Sequence, residues 1–167
     1  AGERVLDTLV PGGFSHATQS LRIVEVLEQG GAGLNLTWEV RQGISTHSKG
    51  KHGLPINVPA SDRAATLEAQ IARVADIIAY VNHDIDDAER AGLVTEGELP
   101  ASARAVVGET SSARIGRMVS DVVVQTLAGG LTEVRMSDEV LQATLELRSY
   151  LFGAVYENAT ATAEFSK

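Results

Sequence analysis

Residues Leu67 to Arg90 read LEAQIARVADIIAYVNHDIDDAER, and this stretch decides the fold. Its apolar residues recur at alternating steps of four and three, the spacing of a helix that buries one long stripe. The stripe consists of Leu67, Ile71, Val74, Ile78, Val81 and Ile85. Asp62 is the expected cap at the start, and Gly92 stands where a helix normally stops. The pattern therefore predicts one long helix over residues 67–90.

The middle of this helix carries an unusual carboxylate. From Val74 to Val81 the strongly polar groups are Asp76 and the hydroxyl of Tyr80, so the segment is apolar nearly all round. That composition predicts a buried segment with the Asp76 carboxylate in the interior. Since a buried charge needs a compensating partner, Asp76 is either paired with an arginine or a metal ligand. Steps of four, four and three also predict a polar seam on one face. The seam consists of Asp76, Tyr80, Asp84 and Asp87.

Length and composition limit the class of protein. With 167 residues, 44% of them hydrophobic, a single domain over residues 1–157 is expected, followed by a frayed tail over 158–167. A net charge of −8 argues against non-specific nucleic-acid binding. The chain has no cysteine, which excludes disulfides, a thiolate nucleophile and a zinc-thiolate site. No apolar run approaches the roughly 18 residues of a membrane span, so a cytoplasmic protein is expected.

Helical spacing and capping residues elsewhere predict an all-α fold. The further predicted helices cover 1–10, 17–29, 38–46, 99–107, 111–127 and 139–157. Residues 48–62 carry Gly, Pro and Lys without a helical period and are predicted to form a loop. Only residues 132–136 could form a short strand.

Three side chains outside the long helix could carry chemistry. His16 follows a turn at a helix start, where it could exchange a proton, hydrogen-bond a phosphate oxygen or simply lie at the surface. Glu3 is a first-turn helix acid, a common structural position. Arg148 shares the apolar side of the last helix, and its planar fork suits either a phosphate or a carboxylate such as Asp76. The residues leave these alternatives open.

Five segments carry a resemblance to a known family. They are AGE at residues 1–3, GGFSHATQSLRIVEVLE, GLNLTWEVRQGI, LEAQIARVADIIAYVNHDIDDAERAGL and LRSYLFGAVY. In this order they resemble the deoxyguanosine triphosphate triphosphohydrolase group of HD-domain phosphohydrolases. The resemblance implies an HD-domain-like helical bundle that holds divalent metal, Mg²⁺ or Mn²⁺. It also implies cleavage of a deoxynucleoside triphosphate to the deoxynucleoside and intact triphosphate.

The resemblance assigns catalytic and metal-binding roles to three residues. Asp76 matches a metal-ligating Asp that is distant in sequence from the other ligands. Glu3 matches an acid that orients a catalytic His three residues earlier, a position that falls before Ala1. His16 matches a second active-site His that faces the phosphates.

The resemblance also implies substrate contacts. Tyr80 and Asp84 match groups that contact the sugar and the phosphates, with Asp84 directed to the 3′-hydroxyl. Arg148 matches a phosphate-binding Arg, and Tyr156 matches a nucleoside-contacting Tyr.

The sequence departs from the family pattern at several motifs, and these departures change what is predicted for its activity. The family's first His, its His-Asp pair and the following Gly-His segment are absent, and Ala17-Thr18 replaces the usual Asn-Glu. The chain is therefore expected to be an incomplete bundle and a fragment of a triphosphohydrolase, inactive alone and unable to retain the metal. The alternative is a non-catalytic nucleotide-binding or oligomerising relative; hydrolysis of another phosphoester is a third option.

A last expectation concerns partners. Without the missing segment, four apolar residues of the long helix should lack cover: Val74, Ile77, Ile78 and Val81. We therefore expect a homo-oligomer, or association with the missing N-terminal part.

Overall fold

The computed structural model describes residues 2–47 and 56–156, apart from the side chains of Arg4, Val155 and Tyr156. Within these ranges the regular structure is entirely helical, which confirms the all-α prediction. The predicted tail at 158–167 and most of the predicted loop at 48–62 lie outside the described residues. No helix in the described part is both long and apolar enough to cross a membrane.

The described residues form eight α-helices. They are α1 (Gly2–Leu9), α2 (His16–Arg22), α3 (Glu28–Gly31), α4 (Trp38–Thr46), α5 (Leu67–Arg90), α6 (Ala101–Val107), α7 (Ser111–Ala128) and α8 (Asp138–Leu151). Helix α2 continues into a π-helical turn at Ile23–Leu27, whereas the sequence predicted one unbroken helix there. Helix α8 continues into a second π-helical turn at Phe152–Tyr156. Short 3₁₀ helices occupy Ala60–Asp62 and Glu96–Glu98.

The chain divides into two compact units. Among the described residues, unit 1 holds 2–47 and 59–73, and unit 2 holds 56–58 and 74–156. Helix α5 contributes residues to both units: residues 67–73 belong to unit 1 and residues 74–90 to unit 2.

Helix α5 has the predicted bounds but a different cap. Asp62 belongs to a 3₁₀ helix, and it is the Thr66 hydroxyl that accepts a bond of 3.2 Å from the backbone N–H of Ala69. At the other end Gly92 adopts a φ of +67°, and the N–H of Leu93 donates to the carbonyl of Ala88 at 2.9 Å. This is the glycine-dependent termination that the sequence predicted.

The faces of α5 differ from the prediction of a segment buried all round. The residues Val74, Ile77, Ile78, Val81 and Ile85 are buried. Asp76, however, is exposed, and Ile71 of the predicted stripe is 54% exposed. The predicted interior position of Asp76 is therefore wrong. The reason is that the segment from Val74 to Val81 was counted as apolar cover throughout, whereas the small side chain of Ala75 lies on the exposed side.

The expectation that four residues of α5 lack cover is also wrong, because all four are buried. Large exposed apolar side chains occur in several other elements, and helices α1 and α7 each carry three or more of them. In unit 1 those of α1 are Val5, Leu6 and Leu9, and in unit 2 those of α7 are Val119, Val123, Val124 and Leu127.

The predicted strand at 132–136 is absent from the structure, because the backbone there bonds to side chains. The N–H of Arg135 donates to the Thr126 hydroxyl at 3.0 Å, and the N–H of Met136 to Asn57 Oδ1 at 3.4 Å. Asn57 Nδ2 returns a bond of 2.8 Å to the Met136 carbonyl. These bonds hold the segment between α7 and α8 without a strand partner.

A buried polar pair joins α5 to α7 inside unit 2. Asn82 and Arg114 are both fully buried, and Arg114 Nε donates to Asn82 Oδ1 at 3.2 Å. Arg114 Nη1 also donates to the Glu109 carbonyl at 3.0 Å. The guanidinium lies 3.9 Å from one carboxylate oxygen each of Asp86 and Glu96. This pair fixes the face of α5 opposite to the polar seam.

In unit 1 a buried arginine anchors the end of α4. Arg73 Nε donates to the Thr46 carbonyl at 2.7 Å, and Nη1 donates to the Asp62 carbonyl at 3.1 Å. Burial lowers the pKa of the Arg73 guanidinium below its usual value. Because two backbone carbonyls accept from the same planar fork, the last residue of α4 is held in place.

Candidate active site

Glu3 and His16 form a two-point contact in unit 1. Glu3 Oε1 accepts from the backbone N–H of His16 at 2.9 Å and lies 2.8 Å from Nδ1 of its ring. The turn between α1 and α2 makes this possible, because Gly12 and Gly13 both have positive φ, at +89° and +88°. Only glycine adopts that conformation readily. The sequence assigned the two residues to one site but did not predict this direct bond.

The bond determines where the His16 proton lies. Both His16 donors lower the pKa of the Glu3 carboxyl, the backbone N–H more than the ring. An ionised carboxylate only accepts hydrogen bonds, so Nδ1 of His16 carries the hydrogen. The other ring nitrogen, Nε2, is then the one available to exchange a proton or bind a phosphate oxygen. His16 and Glu3 are both about half exposed, with side-chain exposures of 43% and 49%.

His47 is a third member of this cluster. Its ring lies edge-on to that of His16, with centroids 5.3 Å apart and planes at 74°. Its Nδ1 lies 2.6 Å from the Ile44 carbonyl. In the sequence His47 lies in a basic stretch from Arg41 to His52, part of which is outside the described residues. Nothing in the local pattern indicated a contact across 31 positions of sequence.

The polar seam on α5 lies within unit 2 and is accessible. Asp76 is exposed, Tyr80 is 38% exposed and Asp84 is half-buried. Asp87 is exposed and pairs with Arg90 at 2.7 Å. The face therefore offers carboxylates beside a phenol at one-turn spacing, as predicted. Such a face can accept hydrogen bonds from hydroxyl groups and present an aromatic ring to a sugar or base.

Arg148 is half-buried in α8, as its place on the apolar side predicted. Its guanidinium carbon lies 5.6 Å from the centroid of the Phe152 ring, a cation–π contact. The alternative pairing with Asp76 is not present among the described residues. A stacked guanidinium keeps its in-plane N–H groups available for a phosphate. The side chain of Tyr156, the predicted nucleoside contact, lies outside the described part of the chain.

The described residues do not fit a divalent cation on their own. Asp76 is the only predicted metal ligand among them, and no group of three or more His, Asp or Glu side chains in the described ranges is arranged to hold a metal. A tightly held divalent cation needs several such ligands.

Comparison with known proteins identifies relatives along the whole chain. No family model matches it. It is 45% identical over 167 residues to a deoxyguanosinetriphosphate triphosphohydrolase-like protein of Caldanaerobacter subterraneus subsp. tengcongensis, a match that covers 100% of the chain and 45% of the relative. Proteins of the same name from Desulfatibacillum aliphaticivorans and Clostridium tetani are 43% and 42% identical, covering 99% and 100% of the chain and 47% of each relative.

The chain is an all-helical protein with a carboxylate-oriented histidine and an acidic, tyrosine-bearing helix face. Over its whole length it is similar to the deoxyguanosinetriphosphate triphosphohydrolase-like proteins, which confirms the resemblance drawn from its sequence. It spans a little under half the length of these curated relatives.

Proposed function

We propose that this chain contributes part of the active site of a metal-dependent deoxynucleoside triphosphate triphosphohydrolase of the HD superfamily. The observation that carries the proposal is the two-point bond between Glu3 and His16, which leaves one imidazole nitrogen available for proton exchange. The substrate class rests on the names of the relatives. The products would be a deoxynucleoside and inorganic triphosphate.

The proposed reaction needs proton transfer at two oxygens. Water attacks the α-phosphorus and loses a proton, and the bond from that phosphorus to the 5′-oxygen breaks, so the departing oxygen gains a proton. In its neutral Nδ1–H form an imidazole can accept the proton of the attacking water at Nε2, and in its protonated form it can donate that proton to the 5′-oxygen or to a phosphate oxygen. His16 would do so through Nε2, while Glu3 holds the ring and its Nδ1 hydrogen. A general acid or base of this kind typically contributes about 10²- to 10⁴-fold in rate.

The proposed substrate contacts lie in unit 2. The Asp84 carboxylate would accept from the 3′-hydroxyl, and the Tyr80 ring would lie against the sugar. Arg148 would donate its in-plane N–H groups to a phosphate while its face stays on Phe152. Each of these contacts uses an accessible or half-exposed group, which supports the assignment.

The proposal is tested in the protein at its natural length. Ion chromatography after incubation with each deoxynucleoside triphosphate and Mn²⁺ measures release of triphosphate. We expect His16→Ala to lower kcat by about 10²- to 10⁴-fold. His83→Ala is the matched control, because His83 is an exposed histidine on α5, and it should retain activity.

Asp76 is tested in the same assay. Asp76→Asn should lower activity by orders of magnitude and leave the melting temperature unchanged, because the carboxylate is exposed and has no partner among the described residues. Glu68→Gln is the control, because Glu68 is an exposed acid on the same helix outside the polar seam. If Asp76 has a purely structural role, Asp76→Asn should instead lower the stability of the protein and leave its metal affinity unchanged.

Two outcomes would contradict the proposal, and a third would contradict the expectation for the isolated chain. Release of pyrophosphate or monophosphate would indicate another phosphoester hydrolase. Nucleotide binding without turnover would support the non-catalytic alternative, which the incomplete set of metal ligands among the described residues favours. Metal-dependent release of triphosphate by the purified 167-residue chain would contradict the prediction that these residues alone bind Mn²⁺ poorly and are inactive.

Assembly and location stay predictions. The homo-oligomer implied by the family resemblance can be measured by size-exclusion chromatography with light scattering, and a monomer across the working concentration range would contradict it. Cytoplasmic location can be checked by fractionation of the source cells.

A further inference from the structure

We propose that His47 is a positioning residue for His16, acting through contact between the two rings. The inference rests on the proposed function in assigning His16 a role in proton transfer or phosphate binding. The contact itself is independent of that function: the ring centroids lie 5.3 Å apart, and the planes meet at 74°.

His47 is held rigidly enough to serve as a support. Its Nδ1 lies 2.6 Å from the Ile44 carbonyl, and a carbonyl only accepts, so Nδ1 carries the hydrogen. The preceding residue is fixed as well, because the Thr46 carbonyl accepts from buried Arg73 at 2.7 Å and the Thr46 hydroxyl donates to the Gln42 carbonyl at 2.8 Å. The end of α4 thus presents the His47 ring in a defined orientation.

His16 needs such a support because Glu3 alone leaves one movement open. The carboxylate fixes Nδ1, but the ring can still tilt about the axis through that bond. A second ring at an edge-to-face angle limits the tilt, since such aromatic pairs have a preferred geometry. Glu3 and His47 together therefore hold the His16 ring, so that Nε2 points in one direction.

A spectroscopic test on the 167-residue chain measures the positioning directly. Long-range ¹H–¹⁵N spectra of the imidazoles report the tautomer of each of the four histidines. In the wild type we expect His16 as the Nδ1–H form. His47→Ala should leave this tautomer, which Glu3 sets, but sharpen or split the His16 ring signals because the ring gains freedom to tilt. His47→Phe, which keeps an aromatic ring, should leave the His16 ring signals close to those of the wild type. His83→Ala is the control.

A kinetic test in the protein at its natural length separates positioning from direct chemistry. His47→Ala should lower kcat by about 10-fold with little change in KM, a part of the general acid–base contribution. His47→Phe should recover most of that loss, because a phenyl ring can pack but cannot carry a proton. Equal loss in both variants would overturn a packing role and indicate that His47 itself exchanges a proton.

The two proposals fail separately. If His16 has the same tautomer and ring signals in wild type and His47→Ala, the positioning role is wrong whatever the activity. If the protein does not release triphosphate but His47→Ala alters His16 and His47→Phe does not, the proposed function is wrong and the positioning of His16 stands.

Discussion

The buried pair of Asn82 and Arg114 should be strongly coupled in energy. Asn82→Leu keeps a similar volume but leaves Arg114 Nε without its acceptor, and that donor is charged and fully buried. Stranding a buried charged donor costs about 3 kcal/mol. Arg114→Met leaves the acceptors of Asn82 and Glu109 unpaired, for a similar cost of about 3 kcal/mol. Simple addition would give about 6 kcal/mol for the double variant.

The double variant should lose much less than the sum. When both polar partners are replaced by apolar side chains, neither position is left with a buried polar group that lacks its hydrogen-bond partner. Replacing both partners in this way often changes the free energy of unfolding little. We therefore expect a total near 3 to 4 kcal/mol and a coupling energy of about 2 kcal/mol or more. Equilibrium unfolding in urea, followed by circular dichroism at 222 nm, gives the four free energies of unfolding.

An exposed ion pair on the same helix is the control. Asp87 and Arg90 are 2.7 Å apart, with both side chains largely exposed, so their alanine cycle should show a coupling below about 0.5 kcal/mol. If the cycle of Asn82 and Arg114 gives an equally small value, the two side chains are energetically independent. The account of α5 held to α7 by this pair would then be wrong.

Three further predictions follow from single contacts. The bond between Glu3 and His16 lowers the Glu3 pKa below 4.5, so the stability that this bond contributes is present above pH 4.5 and is lost as the pH falls through the lower folded pKa. The NMR signal of the His16 amide should therefore shift with a midpoint below pH 4.5. A midpoint at or above 4.5 would contradict the bond. Gly33→Ala should destabilise unit 1 by about 2 kcal/mol or more, because the φ of Gly33 is +73° and the new Cβ would clash with the backbone carbonyl of Glu25. Urea unfolding followed by Trp38 fluorescence measures the loss, and an unchanged urea midpoint would refute this prediction. Leu147→Ala, at a fully buried position of α8, should lower the free energy of unfolding by about 2 to 5 kcal/mol. Leu131→Ala, at an exposed position, should lower it by less than about 0.5 kcal/mol, and similar losses in the two variants would contradict the burial of Leu147.

The extent of α5 was predictable, but its burial was not. Its apolar spacing and Gly92 determine where the helix runs and ends, and both are local properties. Burial of Asp76 was inferred from hydropathy, which counts alanine as apolar. Ala72 and Ala75 are small enough to lie on an exposed side at little cost, so the helix is amphipathic despite its composition.

The candidate site shows the same division between local and tertiary information. One-turn spacing was enough to predict that Asp76, Tyr80 and Asp84 share a face. The contact of His16 with His47 depends on the turns between helices and on the anchoring of α4 by Arg73. Neither the turns nor this anchoring is encoded in a local period, so no pattern in the sequence indicated the contact.

The start of α2 and the orientation of its histidine depend on one carboxylate. Ser15 occupies the capping position, yet its side chain makes no cap bond. Glu3 accepts from the first helical N–H instead, through the same Oε1 that fixes the imidazole. A serine cap would satisfy an amide without fixing the ring, because a short local side chain cannot reach both. The acid from α1 therefore links the local stability of α2 to the direction of Nε2. For this reason a change at Glu3 should disturb the helix start and the chemistry together, whereas a change at His47 should disturb the ring alone.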